Sequence, residues 1–124
     1  MMRRTAALLP LLLALPGAAK DPLAGRTAGT PVSCVSDSLD SSGPTIIDRH
    51  TILYRQSGRR VWVVQPQGEC PALAPFNTLV VEKWGSQTCA GDRFRVLEPG
   101  AIIPSAFCRF GKFTPYDKPK RQAR

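Results

Sequence analysis

Four cysteines and a single histidine are the residues of this 124-residue chain best suited to redox, metal or nucleophilic chemistry. The cysteines stand at Cys34, Cys70, Cys89 and Cys108, without a Cys-x-x-Cys pair, and the one nearest in sequence to His50 is Cys34. A zinc site draws several Cys and His ligands at short spacings. A thiol–disulfide enzyme wants a low-pKa cysteine in Cys-x-x-Cys or at a helix start. Neither pattern is present, so no metal is expected and the cysteines read as two structural disulfides. Three pairings are open. The expected one joins Cys70 to Cys89, bracketing one strand, and Cys34 to Cys108, fastening the N-terminal segment to the last strand.

Nucleophilic and acid–base catalysis find little support. The chain has no Gly-x-Ser-x-Gly, and a Ser–His–Asp set would have to recruit His50. The carboxylates that could pair for glycoside chemistry are Asp37, Asp40, Asp48, Glu69, Glu82, Asp92 and Glu98. They fall in turns, or in strands beside basic neighbours. No glycine-rich phosphate loop is present, and no motif implies a cofactor. The expectation is a non-enzymatic protein.

Basic residues leave one binding chemistry open. Arg93 and Arg95 share a strand face, and Arg109 falls on the expected partner strand. With Lys112, Lys118, Lys120 and Arg121 they form a candidate contact for a polyanion such as anionic lipid or polysaccharide. The competing reading is a solvated strand face followed by a solvated tail. The formal charge is +8, and +6 without Arg3 and Arg4; the stretch from Arg109 to Arg124 carries +5 of it. Charge concentrated at one end argues against a nucleic-acid binder, which carries it on the folded surface. The expected partner is a protein or an envelope component. Trp62, Trp84, Phe94 and Phe110 are expected in the core, because so small a domain needs its aromatics inside.

The elements that must position these residues are short strands. Arg3 and Arg4, the apolar run from Ala6 and the small residues Gly17-Ala18-Ala19 read as a signal peptide, 1–19, cut after Ala19. That run is shorter than the roughly 20 residues a membrane span needs. Export to the periplasm or beyond follows. Residues 20–31 read as a flexible leader, 32–116 as one β domain and 117–124 as a basic disordered tail. Strand-like runs lie at Thr45–Gln56, Val61–Gln65, Thr78–Trp84, Arg93–Glu98 and Ala106–Phe113, with Val32–Ser36 a short strand or a pinned loop. Val61 and Val63 share one face and Trp62 and Val64 the other, the mark of a strand buried on both sides. Phe94 and Val96 oppose Arg93 and Arg95, the mark of a half-buried strand. Turn residues recur throughout, and no amphipathic helix of ten residues is found after the signal. The fold class is all-β and mainly antiparallel: a small sheet or partly open barrel of five or six short strands, held by disulfides.

The motifs IDRHTILYR, ECPAL, TCAGDRFRVL and FCRFGKFTPY, taken in order, resemble a family of small exported bacterial proteins of unknown function with four cysteines. The match covers roughly Cys34 to Pro115. Thr88 stands where an apolar residue is common in that family, and Phe110 where Leu is common. The resemblance implies one exported domain and brings no activity with it.

Overall fold

A computed structural model describes residues 21–36 and 43–120. The segments assigned to the signal peptide, to Asp37 and Asp40, and to Arg121 lie outside the described residues. Within them the protein is all-β, with nine strands.

The first three long strands form a meander. β3 (Thr45–Asp48), β4 (Thr51–Arg55) and β5 (Arg60–Pro66) pair antiparallel in that order. The run Thr45–Gln56, read from sequence as one strand, is two. A turn at Arg49-His50 breaks it, with Asp48 Oδ1 accepting the His50 amide at 2.8 Å. Aspartate competes for nearby backbone in this way and so initiates turns. The expected hairpin to β5 is present; Ser57 Oγ accepts the Arg59 and Arg60 amides, each at 3.2 Å.

β9 (Cys108–Asp117) is the seam of the molecule. One edge pairs with β5 from Arg60↔Asp117 to Pro66↔Phe110. The other edge is shared. Its first residues pair with β8 (Arg93–Leu97), and β8 pairs in turn with β6 (Thr78–Val81). Farther along, Val32 bridges Phe113, Gly29 N–H donates to the Pro115 carbonyl, and β1 (Thr27–Ala28) pairs with Asp117 and Tyr116. The leader is therefore docked from Thr27 onward, contrary to the flexible segment expected for 20–31. It lacks an apolar period, but its backbone satisfies the open edge of β9, which periodicity does not register. The C-terminal boundary also moves. β9 runs to Asp117, and the Lys118 amide donates to the Arg59 carbonyl at 2.9 Å, so 117 and 118 belong to the fold.

The path β3-β4-β5-β9-β8-β6 curls until its end strands β3 and β6 touch, giving a nearly closed barrel. Its interior holds Ile52, Val64, Leu73, Phe94, Val96, Phe110 and Phe113. The Phe94 and Phe110 rings lie 4.5 Å apart, and Tyr54 meets Phe113 edge-on at 5.9 Å. β5 is buried on both faces as expected, Val61 and Val63 on one and Trp62 and Val64 on the other. Trp62 Nε1 donates to Gln56 Oε1 at 2.7 Å.

A bulge lets β9 follow this curvature. The β5–β9 register shifts between Val64 and Pro66, so that Phe110 and Phe113, three positions apart, both reach the core. At the shift a Cβ on Gly111 would lie 2.6 Å from the Gln65 carbonyl oxygen. Only glycine permits that approach.

The disulfides differ from the expected pairing. β2 (Cys34–Ser36) and β7 (Gln87–Cys89) form a separate antiparallel ribbon in which Cys34 faces Cys89, and these two are bonded. Cys70 is bonded to Cys108, with Cα atoms 5.9 Å apart. β6 returns to pair with β8, which leaves Cys89 on the β7 ribbon and Cys70 beside the start of β9. Proximity along the chain pointed to the wrong partners because β7, only three residues long, carries no signal of its own.

Candidate binding face

The outer face of β6, β8 and the start of β9 brings together three of the basic residues that the sequence singles out, Arg93, Arg95 and Arg109. β8 alternates, with Phe94 and Val96 inward and Arg93 and Arg95 outward. The register places Arg93 directly opposite Arg109. Like charges facing each other across strands are destabilising, and two contacts offset this one. Arg93 Nε lies 3.3 Å from Glu82 Oε2, and Arg109 donates to the Gly91 carbonyl at 2.9 Å. Glu82 Oε2 is shielded from solvent without a hydrogen bond, so its pairing with Arg93 is purely electrostatic.

Phe107 organises this face. The Arg95 guanidinium carbon sits 3.8 Å from its ring centroid and that of Arg93 4.6 Å. A cation over an aromatic face is held in place while its donors stay available. Arg95 has no carboxylate partner among the described residues. Val80 completes the row as the cross-strand neighbour of Arg95.

The predicted contact is thus only partly assembled. Arg93, Arg95 and Arg109 come together. Lys112 lies past the bulge, on a hollow with Val63, Gln65, Thr114 and Tyr116. Lys118 and Lys120 lie nine or more residues from Arg109, about 30 Å along an extended strand. There they line a different hollow of about 440 Å³ with Arg59, Arg60 and Asp117.

This second basic cluster was not read from sequence. Asp117 receives two hydrogen bonds from Arg60, both 2.7 Å. Those bonds, reinforced by the charges of Arg60, Arg59 and Arg26, hold its carboxyl below the usual range. Arg26 donates to the carbonyls of Arg59 (2.8 Å) and Tyr116 (3.3 Å). The adjacent Arg59-Arg60 pair is the available signal, but its partner Asp117 stands 57 residues away, at the start of the stretch that reads as tail.

His50 sits exposed at the β3–β4 turn on an open hollow with Arg49 and Glu69. Among the described residues no group of three or more Cys, His, Asp or Glu is arranged to hold a metal ion, and no helix is long and apolar enough to cross a membrane. Trp62, Phe94 and Phe110 are buried, whereas Trp84 is 78% exposed. It follows the end of β6, where the chain leaves the sheet. Thr88 is buried, as the apolar residue common at that place in the resembled family would be.

Fold and site together define a small, disulfide-linked, nearly closed β-barrel with a cationic outer face. No protein-family model, curated protein or solved structure matches the chain.

Proposed function

We propose that this protein is an exported, non-enzymatic binding module whose ligand is a polyanion, held on the face formed by Arg93, Arg95, Arg109 and Phe107. The observation that carries the reading is Arg95. Its guanidinium is stacked on Phe107, has no carboxylate partner among the described residues, and stands beside two further arginines, Arg93 paired with Glu82 and Arg109 donating to the Gly91 carbonyl. Pre-positioned guanidinium groups suit phosphate, sulfate or carboxylate groups repeated along a chain or surface. Export is supported by the N-terminal signal pattern, the two disulfides and the resemblance to small exported four-cysteine proteins. The expected contribution of Lys118 and Lys120 becomes secondary, given their distance from the face.

The test is retention on a dextran sulfate matrix under a rising salt gradient. Retention at low salt is expected, with Arg95→Glu eluting much earlier and Lys118→Ala/Lys120→Ala moving little. Absence of retention at low salt, or an Arg95→Glu variant that elutes like the parent, overturns the reading.

A further inference from the structure

Two loops leave the same end of the β6–β8 pair. The register Thr78↔Leu97 sets the loop before β6 beside the loop after β8, and Ala72 and Ile103, one from each, line a common hollow. Phe76 is carried on the first loop and Ile102 and Ile103 on the second, and they are 94%, 93% and 84% exposed. Single exposed hydrophobes are ordinary, but several bulky ones at one end of a small domain mark a surface made to be covered. Phe76 adds a second observation. Its φ is +73°, in the left-handed region that a bulky residue adopts only when the surrounding structure imposes it.

Below this crown the loops are fastened. Cys70 of the first loop is bonded to Cys108, where β9 begins just after the second. Leu73 is fully buried, Asn77 Nδ2 donates to the Ala72 carbonyl at 2.9 Å, and Ser105 Oγ accepts the Val96 amide at 2.9 Å. Pro71, Pro75, Pro99 and Pro104 fix φ along both loops. The result is a stiff base carrying an apolar tip.

The charges nearby favour one kind of cover. Arg95 lies two residues from the end of β8, about 7 Å along the strand. Amphipathic elements at a bilayer surface bury their apolar side about 5–10 Å deep. A tip inserted that far brings Arg95, and then Arg93, to the level of the lipid phosphates. Glu82, paired with Arg93, Glu98, at the root of the second loop, and Glu69, on the first, are the opposing charges; Glu69 lines the hollow with Arg49. We infer that Phe76, Ile102 and Ile103 enter the interface of an anionic lipid bilayer while Arg93 and Arg95 engage its headgroups. This rests on the polyanion reading and names the anion as a membrane surface.

The experiment is co-sedimentation of the full chain with vesicles of phosphatidylcholine alone or mixed with phosphatidylglycerol, alongside dextran sulfate retention. The variant Phe76→Gly/Ile102→Ser/Ile103→Ser removes the tip, and its exposed positions let the fold persist, which thermal unfolding verifies. Expected are binding to the mixed vesicles, little to phosphatidylcholine, and at least about tenfold weaker vesicle binding by the variant, with its dextran sulfate retention unchanged. Equal vesicle binding by parent and variant overturns the inference and leaves the polyanion reading standing. So does parental retention on dextran sulfate without vesicle binding, which assigns the tip to a protein surface. Failure to bind either ligand overturns both.

Discussion

Removing the Cys70–Cys108 bond should cost this protein a large part of its stability. The bond closes a loop of 38 residues. In the chain-entropy description that constraint on the unfolded state corresponds to about 4 kcal/mol, against a total of about 5–15 kcal/mol for a typical domain. The variant Cys70→Ala/Cys108→Ala keeps the other bond and loses little packing, because alanine is close to cysteine in size. Urea titration followed by tryptophan fluorescence should show its midpoint lowered by about 2 M, for a slope of about 2 kcal/mol per M. The Cys34–Cys89 bond spans 55 residues, and the same description makes it worth only a few tenths of a kcal/mol more. The two single-bond variants should therefore lose nearly equal stability. A loss under about 1 kcal/mol for the first would show that packing around Leu73 and Phe110 holds these loops without the bond. Peptide mapping that linked Cys70 to Cys89 would refute the reasoning at its root.

Three further outcomes are expected. Gly111→Ala forces a methyl group to 2.6 Å from the Gln65 carbonyl oxygen and should destabilise by about 1–3 kcal/mol, read as a lowered urea midpoint with an unchanged slope. Phe94→Ala empties the centre of the barrel, where Phe94 is fully buried, and should cost about 3–5 kcal/mol in the same assay. Asp117 has a carboxyl held below its ordinary 3.8 in the folded state, first by its hydrogen bonds with Arg60. Its stabilising contribution is thus complete above about pH 4 and is lost as pH falls toward the lowered folded value. Asp117→Asn should flatten that part of the acid limb in thermal unfolding measured from pH 6 to 2; identical limbs would remove Asp117 as its source.

What the sequence made legible was whatever a strand's period of two encodes. Phe94 and Val96 against Arg93 and Arg95 gave both the burial of β8 and the basic face, and the apolar residues on both sides of β5 marked its central place. Pairings that depend on backbone alone left no trace. β1 and the Gly29–Val32 edge are held by main-chain hydrogen bonds, so their residue types look like linker. β7 is three residues long, and with it the true partner of Cys34 was hidden. Phe107 gave no sign of its role either, because its ring acts on arginines brought alongside by register and not by sequence. The apolar tip is hidden for a related reason: Ile102 and Ile103 carry no period of their own beside Pro104, and only the fold sets them exposed beside the loop of Phe76.

The position of β9 has a consequence for the order in which the molecule can assemble. The β3–β4–β5 meander joins neighbours in sequence and can form as soon as it is made. The β6–β8 pair can do the same, but nothing in the sheet path connects the two halves except β9, which is the last strand described. A chain emerging N-terminus first therefore carries two unjoined sheets, each with an open apolar face, until residues 108–117 arrive. Non-local closure of this kind is slow relative to local pairing. The barrel therefore closes last, at the seam that β9 provides, after both halves have had time to pair locally.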